Sequence, residues 1–272
     1  MALDIGNALR DGVGRLQGRS GLLLAAIFAG FGVVNAVVQQ SLSRTQFEQL
    51  AASGALDRLL EGSPVSATEI EAAVVGSTPL AALDSLSVLS LLGLALILAV
   101  VAETLRIVAV RTFAGHDPGS IPEGAFRNLG WAVLNGIVGG IVVGILVAVG
   151  LVLLVVPGVF LAVSLFFVRQ EIAIEDRNAV EAISESWSLT AGDRIEVFGL
   201  LVFLLVLGIA ITFAVGLVTP TGSAAGATVD ALANGVFLAY GVAVATRAYE
   251  QLRGDDEPAE DELEGVDPEL LP

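Results

Sequence analysis

The chain has 272 residues, with 13 Arg, no Lys, 29 Asp plus Glu and one His; it is 55% apolar but only 15% charged, against about a quarter charged in soluble domains. So little charge cannot cover a solvated surface, which excludes a soluble enzyme. The absence of Cys excludes a disulfide scaffold, a Cys-based metal site and a Cys nucleophile.

Residues 2–17 place Leu3, Leu9, Val13 and Leu16 at near-helical spacing among Asp4, Arg10, Asp11 and Arg15. This predicts a short helix within residues 1–20, lying along the cytoplasmic membrane interface. A membrane-crossing helix needs about 20 mostly apolar residues. Six segments qualify, at about 21–40, 86–108, 129–155, 158–174, 195–218 and 227–249, giving a six-span domain over 21–250. A cleaved signal peptide is the rival reading of the first segment. Its preamble is long, however, and the first small-residue stretch, Ala51-Ala52-Ser53-Gly54-Ala55, lies too far downstream. The predicted fold class is therefore an all-α integral membrane protein with six transmembrane helices and short interfacial helices.

Residues 41–85 form the one long connection on the outer side, and Ser66-x-x-Glu69 reads as a capping box opening a short helix. Pro157-Gly158 is expected at the hairpin tip between the third and fourth spans. Residues 178–191 read as a helix lying flat on the inner face. Asn178-x-x-Glu181 caps it, Gly192 stops it, and Val180, Ile183 and Trp187 turn towards the span ends, with Glu181 and Glu185 towards the cytoplasm. Residues 251–272, rich in acids and Pro, read as a disordered cytoplasmic tail.

Placing both termini inside puts eleven Arg on the cytoplasmic side and leaves only Arg44 and Arg58 outside. That bias predicts a multi-pass cell-membrane protein with cytoplasmic termini. Residues 1–253 hold 20 acids against 13 Arg, and nine more acids follow. An acidic body, an acidic tail and no Lys resemble proteins of halophilic archaea, where molar salt screens such repulsion. The sign of the charge also disfavours nucleic acid as a partner.

Gly136, Gly140 and Gly144, continued by Ala148, recur at four-residue spacing along the third segment. The reading is close packing against another span, with a dimer interface or pore lining as the alternative. Glu103 and Arg106 sit three apart and read as a structural pair within about one turn of the inner end of their segment. Asn35, Asn135 and Asn234 are single polar residues inside spans, explained by interhelical hydrogen bonds or by a polar path. His116-Asp117-Pro118 reads as a turn, because no second His or Cys exists to complete a metal set. No phosphate loop, HExxH or GxSxG motif is present. No cofactor or metal is expected.

The stretch Leu153–Gly192 carries Pro157-Gly158, Phe160, Phe166-Phe167 and Glu171. The sequence Ala182-Ile-Ser-Glu-Ser186-Trp187-Ser-Leu189-Thr-Ala-Gly192 follows. It resembles the multi-span membrane domain fused to some glycerophosphoryl diester phosphodiesterases, and related stand-alone membrane proteins. Glu185 departs from the basic residue that often precedes Ser-Trp there. The resemblance implies a membrane module and not the hydrolase, whose soluble domain depends on paired His. The expected function is a non-catalytic one, organising, scaffolding or regulating in the membrane, with Ser186 and Trp187 as interaction candidates. Its partners would be the lipid bilayer and a second copy or another membrane protein. The alternative is a transporter or channel for a small solute.

Overall fold

The computed structural model describes residues 3–61, 66–115, 119–220 and 222–254. The expected turn at His116-Asp117-Pro118 and the acidic tail beyond Gly254 lie outside the described residues. Among the described residues the chain is all-helical, and six of its helical units are long and apolar enough to cross a membrane.

Helix α1 (Ile5–Gln17) leads through Gly18 into α2 (Arg19–Ala52), which is followed by the short α3 (Ala55–Leu59) and α4 (Ala67–Ser77). Helix α5 (Val88–Ala114) returns to the end of the bundle that holds α1, and a single 3-10 turn (Glu123–Phe126) leads to α6 (Leu129–Leu153). Helices α7 (Val155–Ser164) and α8 (Val168–Glu175) share one crossing. The chain ends with α9 (Ala179–Leu189), α10 (Arg194–Val218) and α11 (Ala224–Gly254). The termini end of the bundle thus carries α1, the 3-10 turn and α9, and the opposite end carries α3 and α4.

Helix α11 is the centre of the packing, against α2, α1, α5 and α10. One apolar cluster joins Phe28, Ile107, Phe113, Ile172 and Ala243, and a second joins Leu3, Phe167, Leu200, Val244 and Tyr249. The outward faces stay apolar and open, with Leu89, Ile209 and Phe213 all exposed, as suits side chains turned towards lipid.

Helix α1 and its lead-in turn Leu3, Leu9 and Leu16 of the expected stripe towards the cores, but not Val13. The buried residues of the helix are Ala8 and Gly12, with Leu3 just before it, while Val13 is exposed. The cause is α11: a Cβ on Gly12 would fall 2.5 Å from Val244 Cγ2, so small residues form the seam. At the opposite end, the Ser66 and Glu69 capping box forms. The backbone N–H and hydroxyl of Ser66 hold the Glu69 carboxyl below the usual range.

The Pro157-Gly158 expectation needs correcting. The reversal is centred on Leu154, whose extended backbone (φ −157°, ψ 132°) separates α6 from α7. Pro157 lies in the first turn of α7, where its missing N–H removes no helical bond. Gly158 is instead a packing residue. A Cβ there would lie 2.4 Å from the Leu151 backbone nitrogen, so the two helices cross at glycine.

The crossing formed by α7 and α8 is broken at Leu165–Phe167, and α9 closes the break. Phe167 donates its backbone N–H to Ser186 Oγ (3.2 Å), and that hydroxyl donates to the Ser164 carbonyl (3.1 Å). Thr190 Oγ1 adds a second bond to the same carbonyl. Helix α9 is itself pinned by Asn135, whose Oδ1 accepts from the Ala179 N–H at 3.0 Å, while Asn178 caps Val180 and Glu181. The buried face of α9 is Ala179, Ala182 and Ser186, with Val180 exposed. This is a rotation from the expected Val180–Ile183–Trp187 face, driven by the polar demand of the broken helix. Nor does Gly192 stop α9, which ends at Leu189 with Thr190 as its cap.

Candidate functional site: a polar cavity inside the bundle

A cavity of about 740 Å³ lies between α2, α5, α6, α8 and α11. Its volume falls within the usual range for small-molecule sites. Asn35, Gln39 and Gln40 of α2 line it, together with Asp230 and Asn234 of α11. Glu103, Arg106 and Arg169 complete its polar wall.

These three charges form one cluster. Arg169 donates from Nε to Glu103 Oε1 (2.8 Å) and from Nη2 to Oε2 (3.2 Å). Such two-pronged pairing fixes both groups in orientation. Arg106 adds one longer contact, Nη1 to Glu103 Oε2 at 3.5 Å. Glu103 is 4% exposed and is seated against Gly136, where a Cβ would lie 2.6 Å from Oε1. Glu103 and Arg106 are therefore paired, but with Arg169 as the dominant partner.

Helix α5 runs on to Ala114, so Glu103 stands eleven residues before its end, about three turns. An ion cluster within an apolar helix is costly and marks a candidate functional site.

The glycine stripe divides by role. Gly136 makes room for Glu103, a Cβ on Gly140 would lie 4.0 Å from Arg169 Nη2, and one on Gly144 would meet nothing within 4 Å. The helix seam falls instead on Gly139, which meets Ile172 and Val168, so the expected packing stripe is not one continuous contact. Of the three asparagines, Asn35 and Asn234 line the cavity, whereas Asn135 serves α9.

A neighbouring space lies towards α4. It measures about 660 Å³ between α4, α10 and α11 and shares Gln40, Ala227 and Asp230 with the cavity. One carboxylate oxygen of Asp230 is buried with no hydrogen-bond partner among the described residues. Sequence reading passed over Arg169, Asp230, Gln39 and Gln40. The first two carried a usable signal, a charge within an apolar segment.

The remaining charges at the termini end build structure. Arg111 donates to the carbonyls of Ala125, Arg127 and Ala173 and to the Asp176 carboxylate. Arg177 bridges Glu171 and Glu185, and Arg253 lies near Glu171 and Glu175. Glu181 completes the α9 capping box. Trp187 is 41% exposed and meets Phe160 edge-on at 5.5 Å, with Arg194 over both rings. No group of three or more metal-ligating side chains occurs among the described residues.

Ser186 supports the cavity through the helix break, because Arg169 follows that break directly. Ser186→Ala should leave the Phe167 N–H unpaired in a buried place and lower stability by about 1–3 kcal/mol. Thermal unfolding in detergent measures this, and an unchanged midpoint would refute the role of the hydroxyl.

No curated protein and no solved structure matches the chain. A family model described as a domain of unknown function (DUF7847) matches residues 3–252, and the chain belongs to that family.

Proposed function

We propose that the chain is a membrane carrier that binds a small molecule in its central cavity, rather than a scaffold. The observation behind this reading is the Glu103–Arg106–Arg169 cluster, set in the wall of a cavity about three turns from a helix end. A scaffold gains nothing from polar side chains lining a cavity, and in lipid such groups are expensive. No catalytic activity of its own belongs to this reading. With Arg106 and Arg169 set aside as cavity residues, nine of the eleven inner Arg still stand against Arg44 and Arg58. That bias supports placing the termini in the cytoplasm of a cell-membrane protein, so the α4 end and its vestibule would face outward. The acid-rich, Lys-free composition supports a halophilic archaeal setting. The likeness to phosphodiesterase-linked membrane domains rests on the Leu153–Gly192 stretch, within which Ser186 has a structural role in closing the helix break.

Labelling of single cysteines tests this cleanly, since the chain has none of its own. Gln39→Cys should react with a membrane-impermeant thiol reagent applied to intact cells, and Ser120→Cys should react only after permeabilisation. A Gln39→Cys that stays unreactive from both faces would overturn the carrier reading. Labelling of Ser120→Cys in intact cells would invert the orientation.

A further inference from the structure

A crevice adjoins the cavity. With a volume of about 340 Å³ between α6 and the α7–α8 crossing, it shares Gly136, Gly140 and Arg169 with the cavity. Its walls carry Val143, Val147, Leu165, Phe166 and Ile172, and Gly144 leaves its floor open. The Arg169 guanidinium thus lines both the cavity and a narrow apolar trough.

The charge cluster is unbalanced. Two guanidiniums share the Glu103 carboxylate, and its shorter bonds all go to Arg169. Arg106 makes only that one 3.5 Å hydrogen bond among the described residues, although a guanidinium carries five N–H donors. Asp230, the other acid on the cavity wall, lies eight residues from Leu238, the wall residue of α11 nearest the termini end. That is about two turns, so Asp230 stands towards the α4 end, away from the cluster.

Resting on the carrier reading, we propose that the site takes an anionic amphiphile. Its phosphate or carboxylate headgroup binds Arg106 beside the Glu103–Arg169 pair, and its hydrocarbon chain lies in the crevice along Gly140 and Gly144. The net positive cluster selects the sign of the headgroup, and charge-assisted bonds to it are the strong kind. The trough selects the chain. A free inorganic anion would use the cluster but leave the apolar trough without a role. Entry is lateral, from the bilayer, so the ligand need not leave lipid to reach the cluster.

Native mass spectrometry of the full chain in dodecyl maltoside tests this, with lysophosphatidic acid and lysophosphatidylcholine of equal chain length as probes. One lysophosphatidic acid should bind about tenfold or more tightly than the choline lipid, the scale of one charge-assisted bond. Arg106→Gln should remove that preference. Gly144→Leu fills open space, so the chain should stay folded while its affinity for lysophosphatidic acid falls by a similar factor. Inorganic phosphate should not displace the lipid at matching concentration. Equal binding of the two lipids, displacement by phosphate, or an unaffected Gly144→Leu would each overturn the inference. If Gln39→Cys still labels, such a result removes the amphiphile alone; if that labelling also fails, the carrier reading falls with it.

Discussion

Glu103→Leu should lower the unfolding midpoint in detergent more than any other single change in the cavity wall. It strips Arg169 of both its short bonds and Arg106 of its only one among the described residues. Breaking a buried pair from one side costs about 3–5 kcal/mol, because the remaining charge has no partner. Arg169 is partly exposed, which favours the lower part of that range. The double variant Glu103→Leu/Arg169→Leu should recover more than half of the loss, since no stranded charge then remains except Arg106. Arg106→Leu alone should cost about 1 kcal/mol or less, in line with its single long contact. A double variant as unstable as Glu103→Leu would show that the loss comes from packing and not from charge.

The second large effect is expected at Gly158. Helix propensity alone says that Gly→Ala inside a helix gains up to about 1 kcal/mol. Here a Cβ would fall 2.4 Å from the Leu151 backbone nitrogen, and backbone cannot rotate aside. Gly158→Ala should therefore force α6 and α7 apart and lose about 1–3 kcal/mol. Gly144→Ala is the matched comparison, because its Cβ meets nothing within 4 Å, and it should be neutral or slightly stabilising. Equal midpoints for the two variants would show that the α6–α7 crossing does not depend on glycine.

What the sequence revealed follows from which signals are local. Span number and helix caps are local, and runs of apolar residues and the pairs Ser66/Glu69 and Asn178/Glu181 announce themselves. Facing is not local. Helix α1 turns Ala8 and Gly12 inward because of Val244, some 230 residues later, and α9 turns Ser186 inward because the helix it covers is broken. Pro157-Gly158 read as a turn because both residue types favour one, yet Leu154 makes the reversal and Gly158 serves the crossing. The cavity was half legible. Asn35, Asn234, Glu103 and Arg106 stood out as polar residues in apolar runs, but their convergence with Arg169 and Asp230 is a property of the packed bundle.

A cryo-electron microscopy map of the full chain in lipid, resolved well enough to place water, is the most direct test of the polar cavity. Ordered water or a bound headgroup should fill the space between Asn35, Asn234 and the Glu103–Arg169 pair, continuous with the vestibule at Asp230. Helices α2, α5, α6 and α11 closed on one another in dry contact, with no density between those residues, would contradict it.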